Sequence, residues 1–134
     1  NIPNPEVVES FDHSLPFAKD MDADILISTD PDADRIGVML KHDGSWEFLS
    51  GNEIGIILTQ YAISKYKAQG RLNSENVIIK TDVTTSLIQK IADENNVQCI
   101  GNLLVGFKYI GEAEAHSVAR AATVPTWTYI RAMG

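Results

Sequence analysis

The stretch that most constrains this chain is residues 24–35, DILISTDPDADR. Ile25, Leu26 and Ile27, followed by Ser28 and Thr29, read as a buried strand. Asp30, Asp32 and Asp34 then alternate with Pro31 and Ala33, and Arg35 comes directly after. Carboxylates this close repel one another unless a cation sits among them, so the economical reading is a hard-metal site on oxygen ligands. In open α/β sheets the ligand lies beyond the carboxyl ends of strands, which is where this loop begins. An EF-hand also spaces its acids this way, but it needs Gly at its sixth position and Glu at its twelfth. Counted from Asp30, those positions hold Arg35 and Lys41, so calcium of that kind is disfavoured, and the cationic Arg35 suits an anion shared with the metal. The plain alternative is a polar loop of solvated aspartates with Arg35 in a surface ion pair.

With 134 residues, 44% of them hydrophobic and 22% charged, the chain has a globular balance and the length of one ordinary domain. Its formal net charge of −7, with no basic stripe, argues against a nucleic acid or an anionic membrane as partner. The single Cys99 has no internal partner, and no charged segment with an apolar core opens the sequence, so a reducing cytoplasm is the expected compartment. Apolar runs of only a few residues are too short to span a membrane. No internal repeat or low-complexity segment is present.

Residues 1–5 carry two prolines and read as an extended entry, cut from the middle of a longer polypeptide. Val8, Phe11 and Leu15 recur at helical spacing, and Pro16, lacking the amide that would bond to Asp12, should kink or split that helix. Beyond the Asp loop, residues 36–40 and the stretch through Trp46, Phe48 and Leu49 read as strands joined by the Asp43-Gly44 hairpin. Ser50 and Glu53 form a capping box opening a helix whose apolar face is Ile54, Ile57, Leu58, Tyr61 and Ala62, closed by Gly70. Residues 77–80 predict a buried strand, with Thr81 or Asp82 capping a helix on Leu87, Ile88, Ile91 and Ala92. Asn95 and Asn96 end that helix, residues 97–100 form the next strand, and residues 103–108 enter a loop. Strand, helix, strand is a βαβ rhythm.

DPDADR after such a strand resembles the metal-binding loop of the α-D-phosphohexomutases, the phosphoglucomutase and phosphomannomutase family. Three more stretches match in order: SGNEIG at residues 50–55, KTDVTTSLI at 80–88 and GFKYIGE at 106–112. The resemblance implies an α/β fold of the family's middle-domain type, three-layered αβα with a mixed sheet. It divides the chain into residues 1–49, the end of domain II with the metal loop; 50–112, most of domain III; and 113–134, a divergent tail. It implies Mg²⁺ on Asp30, Asp32 and Asp34, Arg35 as a catalytic phosphate clamp, and Gly106 with Lys108 binding the sugar phosphate. The implied reaction interconverts hexose 1-phosphate and 6-phosphate through a phosphoserine and a hexose bisphosphate.

The chain also departs from the family. Val105 stands where a threonine is usual, which removes a hydroxyl. No serine here sits in a phosphoserine loop, and the later sugar-recognition loop is lacking, so the phosphoserine domain I and the phosphate-binding domain IV are implied partners outside this chain. A fragment of this kind should not turn over substrate alone. After Glu112 the matching stops; Ala115, Val118 and Ala122 can line a helix, and Trp127 and Tyr129 a strand. Lys80 reads as facing the sugar-phosphate cleft. His13, His42 and His116 share no spacing and read as surface residues, and Trp46 and Trp127 as packing. Two alternatives stay open: a haloacid-dehalogenase-type Mg-dependent phosphatase, which also places D-x-D after a strand, and a non-catalytic metal-binding domain.

Overall fold

The computed structural model describes residues 4–33, 35–120 and 128–129. Its compact units divide between Ile54 and Gly55.

In the first unit, Val8–Phe11 forms a 3-10 turn and α1 spans Leu15–Asp20. The break expected at Pro16 falls just before it, because Pro16 occupies the first turn of α1, where no helical amide is required. Asp22, in a left-handed conformation, ends α1 with the paired bonds Ala23 N to Ala18 O and Asp22 N to Lys19 O. Strands β1 (Ile25–Thr29), β2 (Ile36–His42) and β3 (Ser45–Leu49) follow in an antiparallel sheet of order β1-β2-β3. Asp43 and Gly44, both at positive φ, make the two-residue turn that matches the twist of a hairpin. Phe11, almost fully buried, meets Phe48 edge-on with ring centroids 5.9 Å apart, and Val38 and Met39 of the central strand are buried.

One expectation fails here. β1 is not a buried strand: it lies at the edge of its sheet, and Ile25 and Ile27 are about half exposed, alternating with the half-buried Leu26 and Ser28, because one face of the strand is left uncovered among the described residues.

Helix α2 (Gly51–Ala68) carries the chain across the division. Its N-terminus is the expected capping box: Glu53 Oε2 accepts from the Ser50 amide at 2.8 Å and hydroxyl at 2.7 Å, and the Glu53 amide donates to Ser50 Oγ at 3.3 Å. Gly70, at positive φ, closes it with Arg71 N to Tyr66 O and Gly70 N to Lys67 O. The buried face differs from the expected one. Ile54, Thr59 and Ile63 are buried, whereas Ile57, Leu58 and Tyr61 are exposed. Thr59 can be buried because its hydroxyl donates to Gly55 O at 2.7 Å.

In the second unit, β4 (Val77–Thr81), α3 (Leu87–Glu94) and β5 (Gln98–Leu103) form a parallel βαβ unit, and β6 (Thr128–Tyr129) pairs in parallel with the other edge of β4. Its core is Ile63, Ile78, Ile88, Ala92 and Val97. Asn96, at positive φ, terminates α3 as expected. Thr81 does not cap that helix. It is buried, its hydroxyl 3.1 Å from that of Thr84, and it is the Thr85 hydroxyl that accepts from the Leu87 amide. Helix α4 (Phe107–Arg120) then follows, so Lys108 belongs to a helical first turn and not to a loop. Ala122 and Trp127 lie outside the described residues. The fold is α/β, with antiparallel and parallel strand pairing and flanking helices, in keeping with an αβα middle domain.

Candidate functional site

The Asp loop begins where β1 stops. Asp30 is 5% exposed, and Arg35 wraps back onto it: the Arg35 amide donates to Asp30 Oδ1 at 3.1 Å and Nε donates to Oδ2 at 2.9 Å. Ala33 takes a left-handed conformation at φ 56°, and its amide donates to Asp30 O at 3.0 Å, which turns the chain within four residues. Strain of that kind in a non-glycine residue is typical of binding loops. Asp32 is exposed on the same loop, and Asp34 lies outside the described residues. Among the described residues, no group of three or more His, Cys, Asp or Glu is gathered that could hold a metal ion.

The donor chemistry nevertheless fits a hard divalent cation. Both Asp30 oxygens accept from Arg35, which holds in place a carboxylate of the hard-oxygen type that such an ion takes. Asp32, exposed on the same loop, would offer a second carboxylate to such an ion.

Two residues of this site escape a reading by motif. Arg35 Nη1 donates to Asn4 Oδ1 at 3.2 Å and lies 3.7 Å from Glu6 Oε2. Asn4 Oδ1 also accepts from the Glu6 amide at 3.1 Å, which fixes the bend of the entry segment. The available signal was Gly37. A Cβ there would lie 1.9 Å from Pro5 O, so the segment crosses the start of β2 at a distance only glycine permits.

In the second unit, Gly106 has φ 137° and introduces α4, whose first turn carries the exposed Lys108 over the Tyr109 ring at 5.7 Å. Val105 is half exposed. Lys80 is buried, and its ammonium donates to Thr81 O, Thr84 O and Gly101 O at 3.0–3.3 Å. A Cβ on Gly101 would sit 2.9 Å from Lys80 Cε, so that glycine makes room for the lysine stem. A cleft of about 400 Å³ beside it is lined by Lys80, Gln89, Cys99 and Asn102 among others. Burial raises the Cys99 thiol pKa above its ordinary value, opposed by nearby Lys80. His13 and His42 are exposed, as expected; the His116 side chain is outside the described residues.

Comparison with known proteins gives the class. The family model for phosphoglucomutase/phosphomannomutase, alpha/beta/alpha domain II, matches residues 1–44, and that for alpha/beta/alpha domain III matches residues 50–122. A phosphomannomutase of Mycoplasmoides pirum is 37% identical over 110 residues, 82% of this chain and 19% of that protein. A phosphoglucomutase of Staphylococcus epidermidis is 37% identical over 114 residues, 84% of this chain and 20% of that protein. A phosphoribomutase of Saccharomyces cerevisiae is 35% identical over 116 residues, 82% of this chain and 18% of that protein. The chain belongs to the phosphoglucomutase/phosphomannomutase family. It spans about a fifth of the length of these relatives. Among the described residues no helix is long and apolar enough to cross a membrane.

Proposed function

We propose that this chain is the metal-loop and sugar-facing portion of a cytoplasmic phosphohexomutase that interconverts hexose 1-phosphate and hexose 6-phosphate through a phosphoserine and a hexose bisphosphate. The observation that carries the reading is the Asp30–Arg35 pair at the carboxyl end of β1, where the Asp30 carboxylate accepts one hydrogen bond from the Arg35 backbone amide and one from its guanidinium Nε. In this proposal Asp30, Asp32 and Asp34 hold Mg²⁺. When bound, that ion neutralises charge on the phosphoryl oxygens during transfer. Arg35 clamps the phosphate with a planar fork of donors. Gly106 allows close backbone approach to the sugar phosphate, and Lys108 supplies a mobile positive charge.

The proposed division is residues 1–49 from domain II, 50–112 from domain III and 113–134 a divergent tail; the family match through residue 122 shares the start of that tail. The phosphoserine and the phosphate-binding module belong to domains I and IV, outside this chain. Two measurements test this reading. Calorimetry should detect weak Mg²⁺ binding that Asp32→Ala abolishes; unchanged binding in the variant removes the loop from the site. Incubation of the chain with glucose 1-phosphate, glucose 1,6-bisphosphate and Mg²⁺ should give no glucose 6-phosphate above the blank. Robust turnover would overturn the fragment reading, and release of free phosphate dependent on Asp30 would favour a phosphatase instead.

A further inference from the structure

Helix α2 buries one face and leaves the opposite one bare among the described residues. Ile57, Leu58 and Tyr61, each about half exposed, lie together over little more than one helical turn, beside the exposed Gln60, Ser64 and Lys65. A contiguous apolar patch ringed by polar side chains is characteristic of an interaction site. The charges on this face fall in a set order. Glu53, Ile57, Tyr61 and Lys65 are all exposed and recur every four residues, and rows of that spacing are the ridges that seat against a neighbouring helix. The row reads acid, aliphatic, aromatic, base. Turned end for end, it meets its own complement: Glu53 faces Lys65, and Ile57 faces Tyr61. A parallel arrangement sets like charges opposite each other.

We propose that this face of α2 is a self-association surface, on which a second copy of the chain packs its own α2 antiparallel about a two-fold axis level with residue 59. In such an isologous pair every contact occurs twice, so the Ile57–Tyr61 and Glu53–Lys65 contacts each form once on either side of the axis. Two features hold the charged ends of the row in place. Glu53 accepts both Ser50 bonds at Oε2, which fixes its carboxylate at the first turn of α2. Lys65 Nζ lies 5.7 Å from the centre of the Tyr61 ring, which draws the ammonium onto the apolar patch. Antiparallel packing also sets the positive end of each helix dipole beside the negative end of the other. Three apolar side chains from each copy make a small interface, and the net charge of −7 on each copy opposes it, so the pair is weak and reversible.

Sedimentation equilibrium of the 134-residue chain, carried to millimolar concentration, should show a reversible monomer–dimer exchange. Ile57→Ser and Tyr61→Ser should each weaken it roughly tenfold, while circular dichroism stays unchanged because both side chains are exposed in the single chain. Charge reversal reads the register. Lys65→Glu and Glu53→Lys should each weaken association, and an equimolar mixture of the two should restore it, since every acid then faces a base. High salt should reduce both effects. Lys67→Glu is the control: it changes the charge equally, but it lies more than half a turn round the helix from Lys65 and should leave association nearly unchanged. Glu53→Lys also opens the capping box; should that variant misfold, the contrast between Lys65→Glu and Lys67→Glu decides alone. A chain that stays monomeric throughout, association indifferent to Ile57 and Tyr61, or equal effects of the two lysine reversals each overturns the proposal.

Discussion

Gly37 shows how one missing side chain organises the Asp loop. An added Cβ would meet Pro5 O at 1.9 Å and Pro5 C at 2.9 Å, both backbone atoms, with the Phe11 ring at 3.1 Å. Backbone cannot yield as a flexible side chain does, so Gly37→Ala should displace the entry segment and pull Asn4 and Glu6 from Arg35. The expected loss is about 2–3 kcal/mol in urea denaturation. Gly44→Ala is the control: nothing lies within 4 Å of its Cβ, and only its positive φ is penalised, at about 1 kcal/mol. Equal losses at the two sites would show that conformation, not close approach, explains Gly37. Cys99 gives a second residue-level expectation. Burial holds its thiol pKa above the ordinary value, so iodoacetamide at pH 8 should modify it more slowly than a free thiol, and unfolding in urea should restore the free rate. Equal rates before and after unfolding would show the thiol to be accessible and unperturbed.

Among the elements, the start of α2 offers the clearest pH dependence. Hydrogen bonds from the Ser50 amide first, then from its hydroxyl, lower the Glu53 carboxyl pKa below the ordinary glutamate value. A group depressed on folding contributes stability above its unfolded pKa and loses it as pH falls through the folded one. The cap should therefore weaken on acidification through about pH 4 and below, and Glu53→Gln should flatten that part of the stability profile. An acid limb identical in Glu53→Gln would place the titration elsewhere. This cap was legible because Ser-x-x-Glu is a local code, as were Asp43-Gly44, the Asn96 terminus and the strand-helix-strand rhythm of 77–103. The faces were less legible. Counting large apolar residues assigns Ile57, Leu58 and Tyr61 to the inner side of α2, but Thr59 buries there by satisfying its own hydroxyl on Gly55 O. An apolar run likewise names β1 without saying that it lies at a sheet edge. The DPDADR motif marked Asp30 and Arg35, but the contacts from Asn4 and Glu6 depend on a crossing of the chain about thirty residues away in sequence, which no local pattern encodes.

At the scale of the whole molecule, the segment beyond α4 bears directly on the parallel sheet. β6 pairs with Ile78 and Ile79 of β4, so Thr128 and Tyr129 cover an edge that β5 does not occupy. β4 is more buried than β5, and an uncovered hydrophobic edge both loses hydrogen bonds and offers a template for another chain. Deleting residues 124–134 should therefore lower the melting temperature and shift the sedimentation distribution towards larger species. The effect should be modest, because only two residues of β6 pair, and each backbone hydrogen bond contributes about 1 kcal/mol net. A Thr128→Pro substitution in the full chain separates pairing from bulk. It removes one amide donor while keeping the tail's length and aromatic content, and should reproduce part of the destabilisation if strand pairing is the cause. If the deletion leaves melting and sedimentation unchanged, β6 contributes nothing to the sheet's stability.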